Sequence, residues 1–424
     1  NIHISHILTL LFSLFITDSE SILLRWRCMR SLSILQSSTA KAIFKKPIYF
    51  VIDSIINVLY PTKQARQNKS LVILRNDAIG DYLLFRDFLR ILRQEYSSYH
   101  ITLIGNIVFK DFALCLDRAY IDKFIWIDNK KFRKNILYSI LFLARIRKHT
   151  FDVFINPIHS RDINNIIISN KINAIYKYAP SGDSINIAPN IKAQNDRIYT
   201  QLFKSSEGIM FEFYRNNEFI NHLLHKQIHI EPYIDGTLFT KFEATSNYSV
   251  LFIGASAEYR KWSIENFAII GKYLIENYHQ NIVICGGKED MEKAEILESK
   301  INAKHKVFNM VGKTSLNALG GIVYNGNLLV SNETSAAHLA AILDTAIVIA
   351  VSNGNHLGRF IPYPKGLRDK YYPVFHPFIE ENFDKYEELS NAYAYQSTLD
   401  INEITAKQVI GVIDKIMTKG AANE

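Results

Sequence analysis

Short apolar runs alternate with segments of helical periodicity in two separate series along this chain. The first series begins with Leu-Val-Ile-Leu at residues 71–74 and a helical pattern over residues 82–95. The second begins with Val-Leu-Phe-Ile at residues 250–253 and a helical pattern over residues 264–277. Alternation of this kind predicts parallel strands, because parallel neighbours need a crossover segment between them. Further strands are expected at residues 101–104, 124–127, 151–155, 281–285, 327–330 and 346–351, and further helices at residues 290–300, 316–323, 334–343 and 404–417.

Two such series predict an α/β protein made of two doubly wound units that face each other across a cleft. Residues 180–245 are polar with weak periodicity, and we expect a variable helical region there, followed by a linker. The expected organisation is an N-terminal helical extension at residues 1–69, a first unit at 70–240, a second unit at 248–395 and a C-terminal helix at 396–424 that can cross back to the first unit.

The formal net charge of +8 favours an anionic partner: a phosphate, a nucleotide, an acidic lipid or a nucleic acid. The sequence has no RNP motif, helix-turn-helix signature or zinc finger, so nucleic acid is the weakest of these partners. The three cysteines, Cys28, Cys115 and Cys285, match neither a disulfide framework nor a metal site, which is typical of a reducing compartment. With no HExxH motif in the sequence, we expect no metal and no resident cofactor.

The first seventy residues differ in character from the rest. Residues 7–16 are apolar, but the run is too short to span a membrane as a helix. Between residues 25 and 75 basic residues interleave with apolar ones, and Asp53 is the only acidic residue. This mixture predicts an amphipathic helix on an anionic membrane surface, although a helix packed on the protein body explains it equally well. The first methionine is Met29, so residues 1–28 are a candidate upstream extension of the reading frame.

Loops that follow predicted strands should meet in the cleft, because the carboxyl ends of parallel strands lie at one edge of a sheet. In the loop after the first strand, Gly80 permits close backbone approach and Asp81 begins the next helix. Asp81 is either the cap of that helix or a carboxylate that accepts a proton. Arg161, after the strand at residues 151–155, is a weaker candidate for binding an anionic acceptor, and an ordinary surface cation is the alternative.

Two loops of the second series predict a diphosphate site. Residues 254–262 place small residues before the adjacent cations Arg260 and Lys261, which offer the room, the N–H donors and the charge that a diphosphate needs. Residues 331–338 turn directly from a strand into a helix, and the free N–H groups at a helix start attract phosphate. An ordinary capped helix is the alternative, and His338 can either contact a phosphate or pack.

Five motifs occur in order and together resemble glycosyltransferase family 9, the heptosyltransferase family of lipopolysaccharide core assembly. The resemblance spans about residues 70–365 and implies a GT-B fold, in which two Rossmann-like domains bind mainly the acceptor and the sugar nucleotide respectively. The motifs are Ala-Ile-Gly-Asp at residues 78–81, Gly-Ala-Ser with Arg-Lys-Trp-Ser-Ile-Glu-Asn-Phe at 254–267, Gly-Gly at 286–287, Val-Gly-Lys-Thr-Ser-Leu at 311–316 and Asn-Glu-Thr-Ser-Ala-Ala-His-Leu-Ala-Ala at 332–341.

The resemblance also implies an activity and roles for particular residues. The activity is inverting, metal-independent transfer of heptose or a related sugar from a nucleoside-diphosphate sugar, often ADP-heptose, to a hydroxyl of a lipopolysaccharide-core or other cell-surface glycan acceptor. Asp81 matches the general base, and Arg260 stands where the family usually has the lysine that steadies the donor diphosphate. The other implied donor-binding residues are Ser256, Lys261, Asn332, Glu333, Thr334, Ser335 and His338. Glu333 replaces the family's common aspartate and Ser335 its glycine, so this loop is bulkier.

Two other functions fit the same architecture. A nucleotide-sugar epimerase would bind the same donor without an acceptor, and a non-catalytic protein would bind a sugar nucleotide without turnover. A nicotinamide-dependent dehydrogenase is disfavoured, because the first loop lacks GxGxxG. The expected partners are a nucleotide sugar and a lipid-linked or glycan acceptor, and the expected location is the cytoplasm, with peripheral contact at the inner face of the cytoplasmic membrane.

Overall fold

The computed structural model describes residues 68–421. The N-terminal extension expected at residues 1–69, with its membrane-surface helix, therefore lies outside the described residues, apart from its last two positions. Residues 1–28, the candidate upstream extension of the reading frame, lie outside the described residues as well.

The first half of the described chain is built on a six-stranded parallel sheet in the order β3-β2-β1-β4-β5-β6. Its strands are β1 (Ser70–Arg75), β2 (His100–Asn106), β3 (Lys123–Ile127), β4 (Thr150–Ile155), β5 (Asn173–Pro180) and β6 (Gln201–Phe203). Its helices are α1 (Ile79–Leu83), α2 (Asp87–Glu95), α3 (Lys110–Leu116), α4 (Asn129–Lys134), α5 (Ile136–Arg147), α6 (Ile163–Lys171), α7 (Pro189–Asp196) and α8 (Glu212–Leu224).

The second half repeats this plan with the strand order β12-β11-β10-β7-β8-β9, again all parallel. Its strands are β7 (Tyr248–Phe252), β8 (Asn281–Cys285), β9 (Val307–Asn309), β10 (Leu328–Asn332), β11 (Ile347–Ser352) and β12 (Tyr371–Phe375). Its helices are α9 (Ile264–Tyr278), α10 (Met291–Ile301), α11 (Leu316–Asn325), α12 (Ser335–Leu343), α13 (Pro377–Glu381), α14 (Tyr386–Tyr393) and α15 (Ala406–Ala421). None of the helices within residues 68–421 is both long and apolar enough to cross a membrane.

Both sheets have the same topology when their strands are counted from the start of each half. Each reads 3-2-1-4-5-6, the order of dinucleotide-binding folds, in which the strand order reverses between the first and fourth strands. Central strands such as β1 are buried along their whole length, as expected for parallel strands covered by helices on both faces. The predicted α/β architecture of two Rossmann-like units is confirmed.

Four strands were not predicted from the sequence, and three of them lie at sheet edges. β6 and β9 have only three residues each, and β12 contains Pro373. β5 is adjacent to an edge and is mostly half-exposed. Edge strands are commonly short and partly exposed, so they lack the continuous apolar run that marks a central strand of a parallel sheet.

The helical pattern over residues 82–95 forms two helices, because the chain turns at residues 84–86. Arg86 lies at this break, and its guanidinium turns inward to the buried Asp117, with Nη2 2.8 Å from Oδ1. Tyr82 donates to the other oxygen of the same carboxylate at 2.6 Å. The sequence separation of these partners explains why a local pattern could not predict the break.

The C-terminal helix, α15, packs on α9 and β12 of the second half. Tyr273 on α9 donates to Oδ1 of Asp414 at 2.6 Å. The expectation that this helix crosses back to the first unit is therefore corrected. A contact with the first half is made by the preceding segment, in which Tyr395 donates to Oδ2 of Asp183 at 3.0 Å.

The two halves share one buried apolar cluster, which contains side chains from the layers of both sheets. The ring centroids of Phe211 and Tyr363 are 4.9 Å apart. α11 lies so close to the segment that connects the halves that a Cβ on Gly321 would lie 1.8 Å from the carbonyl oxygen of Thr240. The packing of α11 therefore requires glycine at this position.

Residues 225–247 connect the two halves, and an arginine from each half holds this connecting segment. Arg86 of the first half donates to the carbonyl oxygen of Tyr233. Arg368 of the second half donates to the carbonyl oxygen of Pro232. These two hydrogen bonds tie neighbouring backbone carbonyl groups to the two halves and so fix the path of the connection between them.

We expect Gly321→Ala to destabilise the protein by about 1–3 kcal/mol, because an added methyl group would overlap a backbone oxygen. The matched control is Gly411→Ala in α15, where a Cβ meets nothing within 4 Å. That change should stabilise the helix by about 0.5–1 kcal/mol, since alanine is the better helix former. Chemical unfolding of both variants measures the difference, and equal effects would contradict the close approach.

Candidate active site

A cavity of about 1570 Å³ opens between the carboxyl edges of the two sheets. Its wall includes the loops that follow β1, β4, β7, β10 and β11. Ligands of open α/β sheets bind at this edge, next to the point where the strand order reverses. The predicted site residues that line it are Gly80, Asp81, Ser256, Arg260, Lys261, Glu333, Thr334, Ser335 and His338.

The turn that carries Asp81 lies directly against the helix start of the second half. Helix α1 packs on α12, and a Cβ on Gly80 would lie 3.0 Å from Cδ2 of His338. A side chain at position 80 would therefore press on the imidazole ring of His338. The close contact of α1 with α12 brings Asp81 and the start of α12 into one cavity.

Arg75, at the end of β1, holds the Asp81 loop from below. Its side chain is completely buried, and Nη2 donates to the carbonyl oxygen of Asp81 at 2.9 Å. The same nitrogen lies 2.7 Å from Oδ2 of Asp77. Its guanidinium also stacks over the ring of Phe85, 4.6 Å from the centroid. One buried cation therefore fixes both ends of the loop.

The carboxyl groups of this loop hold protons more strongly than ordinary aspartates. Burial raises the pKa of Asp81, and the carboxylate of Glu212 raises it further, while Arg75 and Arg359 act in the opposite direction. Burial also raises the pKa of Asp77, to about 8, although Arg75 opposes this shift. The two carboxyl groups interact and therefore titrate as a pair. Such a loop can accept and hold a proton near neutral pH.

The two predicted cations of the opposite wall are each paired with a carboxylate. Lys261 Nζ lies 2.7 Å from Oδ1 of Asp290, a buried residue whose Oδ2 also accepts from the backbone N–H of Gly287 at 3.0 Å. Arg260 pairs with Glu333 and donates to Oγ of Ser256 at 3.2 Å. Pairing restricts these long side chains, so their charges have defined positions on the cavity wall.

Glu333 is buried at the centre of three basic groups. Its carboxylate contacts Arg260, lies 3.8 Å from Nε2 of His338 and lies 3.5 Å from Nδ1 of His356. Burial alone would raise the pKa of Glu333, but the charge of Arg260 and the two nearby histidines outweigh it and hold the pKa well below its usual range. Glu333 is therefore an anion that joins the loop at residues 254–262, here called the arginine loop, to the start of α12.

The turn into α12 has two kinds of residue. Thr334 caps the helix by accepting from the backbone N–H of Ala336 at 3.3 Å, and Ser335 is the first helical residue. Asn332 is completely buried: it accepts from the N–H of Trp262 at 2.9 Å and donates to the carbonyl oxygen of Ile253 at 3.1 Å. Asn332 therefore positions the 254–262 loop and does not line the cavity.

Arg161 is not brought to the cavity. Its side chain is 1% exposed, and Nη2 lies 2.6 Å from Oδ1 of Asp196. Nη1 donates to the carbonyl oxygen of Pro180 at 3.1 Å, and the guanidinium packs over the ring of Tyr199. Both the expected acceptor-binding role and the alternative of a surface cation are corrected: Arg161 is a buried side chain that joins β5 to α7.

Among the cavity-lining residues that were not candidates from the sequence, Asp77, Glu212, His356 and Arg359 carry charge or can gain it. Arg359 Nη2 lies 3.3 Å from Oε2 of Glu212, and Asp77 and His356 lie on the same wall. Asp77 could have been recognised, since it stands four residues before Asp81. His356 and Arg359 follow β11 in a Gly- and Asn-rich loop, which was the available signal, whereas Glu212 begins a helix with only weak periodicity.

Within residues 68–421, no group of three or more histidine, cysteine, aspartate or glutamate side chains could hold a metal ion.

Comparison with known proteins identifies the family to which this site is similar. Residues 211–363 match the family model described as glycosyltransferase family 9 (heptosyltransferase). The resemblance to glycosyltransferase family 9 is confirmed. The match also supports the expected enzyme class, a glycosyltransferase. It covers Glu212, the arginine loop and the α12 turn, and it does not reach Asp81.

Solved structures of such enzymes share the fold. A glycosyl transferase family 9 protein from Veillonella parvula has 17% identity and a TM-score of 0.62, over 84% of this chain and 99% of that one. The E. coli heptosyltransferase WaaC with ADP has 16% identity and a TM-score of 0.62, over 82% and 99%. E. coli ADP-heptose lps heptosyltransferase II has 14% identity and a TM-score of 0.58, over 83% and 99%. None of the curated protein sequences matches the chain significantly.

We expect Glu333→Gln to lower the free energy of unfolding by about 3 kcal/mol near neutral pH, because Arg260 loses its buried partner. The pKa of Glu333 is lower in the folded chain than its ordinary value of 4.5, so its stabilising effect is present above pH 4.5 and is lost as the pH falls below it. The gap between wild type and variant should therefore narrow in acid.

Denaturant unfolding at neutral and acidic pH measures this gap. The matched control is Glu258→Gln, which removes a glutamate of the same cavity rim whose side chain is 74% exposed. Its effect should stay within about 0.5 kcal/mol. A gap for Glu333→Gln that does not change with pH would show that the carboxylate is not held as an anion.

Proposed function

We propose that this chain is an inverting, metal-independent glycosyltransferase that moves heptose or a related sugar from a nucleoside-diphosphate sugar to a hydroxyl of a lipopolysaccharide-core or other cell-surface glycan acceptor. The observation that carries the proposal is the meeting of two opposite chemistries in one cavity. A carboxylate with a raised pKa comes from the first half, and paired cations with a helix start come from the second.

The second half, residues 248–395, would bind the donor. Arg260, Lys261 and the N-terminus of α12 offer positive charge to a diphosphate, and Ser256 and Ser335 add hydroxyl donors beside them. Two of the similar E. coli structures are described with ADP and with ADP-2-deoxy-2-fluoro heptose, which supports ADP-heptose as the first donor to test.

The first half, residues 70–240, would bind the acceptor and carry the base. Asp81 takes the proton of the acceptor hydroxyl while its oxygen attacks the anomeric carbon from the face opposite the diphosphate. The bond from that carbon to the diphosphate oxygen breaks, and the nucleoside diphosphate leaves with its electron pair. Attack from the opposite face inverts the anomeric configuration.

Charge stabilisation of the leaving group comes from the protein. The diphosphate gains negative charge as the bond breaks, and Arg260, Lys261 and the α12 N–H groups lie on the wall that would face it. Positioned charge of this kind commonly lowers a barrier by several kcal/mol. The cytoplasm, where nucleotide sugars are made, is the proposed location, with peripheral contact at the inner face of the cytoplasmic membrane.

Equilibrium binding of ADP, GDP, UDP, dTDP and NAD, measured with EDTA present, tests the donor proposal. We expect selective binding of one nucleoside diphosphate, with ADP the first choice. Lys261→Met should weaken that binding about tenfold by removing a charge-assisted contact, whereas Lys272→Met on the exposed face of α9 should leave it unchanged. Binding of NAD alone, or of none of the five, would contradict the proposal.

Asp81→Asn tests the proposed base. We expect turnover to fall by about 10²- to 10⁴-fold, while the affinity for the nucleoside diphosphate barely changes, because the amide can fill the site without accepting the proton. The matched control is Asp369→Asn, at an exposed aspartate outside the cavity, which should keep wild-type turnover. Unchanged turnover in Asp81→Asn would remove this residue from the mechanism.

A further inference from the structure

Three strongly exposed aliphatic side chains lie within six residues of each other at the start of α5. Ile136 is 50% exposed, Leu137 is 62% exposed and Leu141 is 60% exposed. Leu137 and Leu141 are four residues apart, so they lie on the same face of the helix. Among the described residues these two are the most exposed aliphatic side chains. Single exposed apolar residues are common on protein surfaces, whereas adjacent ones often mark a binding face.

The same stretch is strongly basic. Residues 129–148, which contain α4 and α5, carry seven lysines and arginines and no acidic residue. Four of these cations fall in the six-residue helix α4. We call the surface formed by the exposed residues Lys130, Lys131, Arg133, Lys134, Ile136, Leu137 and Leu141 the α4–α5 surface.

This surface is presented by a rigid support. Asn135 ends α4 and caps α5, accepting from the backbone N–H of Tyr138 at 3.0 Å. Ser139 donates to the carbonyl oxygen of Phe132 at 2.6 Å, and the buried rings of Phe132 and Phe142 pack edge to face. The opposite side of α5 is thus anchored in the core, so the exposed leucines do not result from a loosely packed helix.

The α4–α5 surface reaches the mouth of the cavity. Lys130 and Arg133 belong both to this surface and to the cavity wall. Ile107 and Val108, each 44% exposed, lie on the same wall. A ligand lying on the α4–α5 surface would therefore have a direct path into the half of the cavity that carries Asp81.

We propose that the α4–α5 surface docks on an anionic phospholipid membrane. Leu137 and Leu141 would enter the headgroup layer, and the surrounding lysines and arginines would bind the lipid phosphates. Basic residues near an anionic surface are attracted to it, and leucines that enter the headgroup layer remove apolar area from water. The inference rests on the proposed function only for its purpose, the delivery of a lipid-linked acceptor.

Charge and apolarity together favour a membrane over other partners. A two-fold contact between copies of this chain through this surface would place its four cations against the same four of the other copy, which is electrostatically unfavourable. A hydrophilic polyanion would satisfy the charges but would leave Ile136, Leu137 and Leu141 exposed to water. An anionic bilayer offers both a negative surface and an apolar layer beneath it.

Co-sedimentation of the full chain with vesicles tests the proposal. The probes are vesicles of phosphatidylcholine with phosphatidylglycerol in equal parts, and vesicles of phosphatidylcholine alone. We expect the wild type to bind the anionic vesicles at least about tenfold more strongly, and Leu137→Gln/Leu141→Gln to lose about tenfold in that binding. Lys131→Gln/Lys134→Gln should lose about tenfold as well, and added salt should weaken the wild type.

Matched controls carry the same changes on the other half of the molecule. Ile269→Gln removes an aliphatic side chain that is 48% exposed on α9, and Lys272→Gln/Lys304→Gln removes two exposed lysines. These variants should bind vesicles like the wild type. All variants should bind the nucleoside diphosphate unchanged, because none of the altered residues lines the cavity. A failure of nucleotide binding in the wild type would count against the proposed function and not against docking.

Three outcomes would overturn the docking proposal. Unchanged vesicle binding by the α4–α5 variants would place any membrane contact elsewhere in the chain, including residues 1–67. Equal binding to neutral and anionic vesicles would remove the role of the cations. A wild type that self-associates in sedimentation velocity, with Leu137→Gln/Leu141→Gln monomeric and still bound to vesicles, would identify the surface as a contact between copies.

Discussion

The close approach of α1 and α12 is the contact on which the arrangement of the cavity depends. It places Asp81 of the first half beside the helix start of the second, and Gly80 lets the two helices meet there without crowding the ring of His338. Each half taken alone is an ordinary doubly wound sheet with a polar carboxyl edge. The proposed reaction needs both edges, because the first would supply the proton acceptor Asp81 and the second would supply the cations Arg260 and Lys261.

Buried carboxyl groups are treated differently on the two sides of this contact, which are the first half with Asp81 and the second half with Glu333. On the first side, burial and a neighbouring carboxylate raise the pKa of Asp81, so this group binds a proton readily. On the second side, Arg260 and two histidines keep Glu333 ionised despite its burial. The glutamate at position 333, where the resemblance implies an aspartate, fits this second arrangement, since its side chain contacts Arg260 and lies near both histidines. A shared cavity thus contains carboxyl groups with opposite tendencies, which is typical of sites that move protons.

Much of the fold could be predicted from the sequence, and the reason is periodicity. Buried central strands such as β1 and β7 are continuous apolar runs, and their crossover helices show a clear apolar face. Edge strands such as β6 and β9 carry little of this signal. The cavity lining divides in the same way: residues in the segments that follow a buried strand, such as Asp81 and Arg260, could be found from position. Arg161 has the same sequence context but turns away to Asp196, and only the three-dimensional packing reveals that difference.

The arginines that hold the connecting segment also constrain motion. Arg86 and Arg368 bind neighbouring carbonyl groups of the same short stretch from opposite halves, so this stretch cannot act as a free swivel. Any widening of the cleft has to carry these bonds along as a unit or break them. Opening and closing of the cleft would therefore be a small rotation of the two halves about the connecting segment. The width of the cleft entrance would then be set mainly by the side chains at its rim.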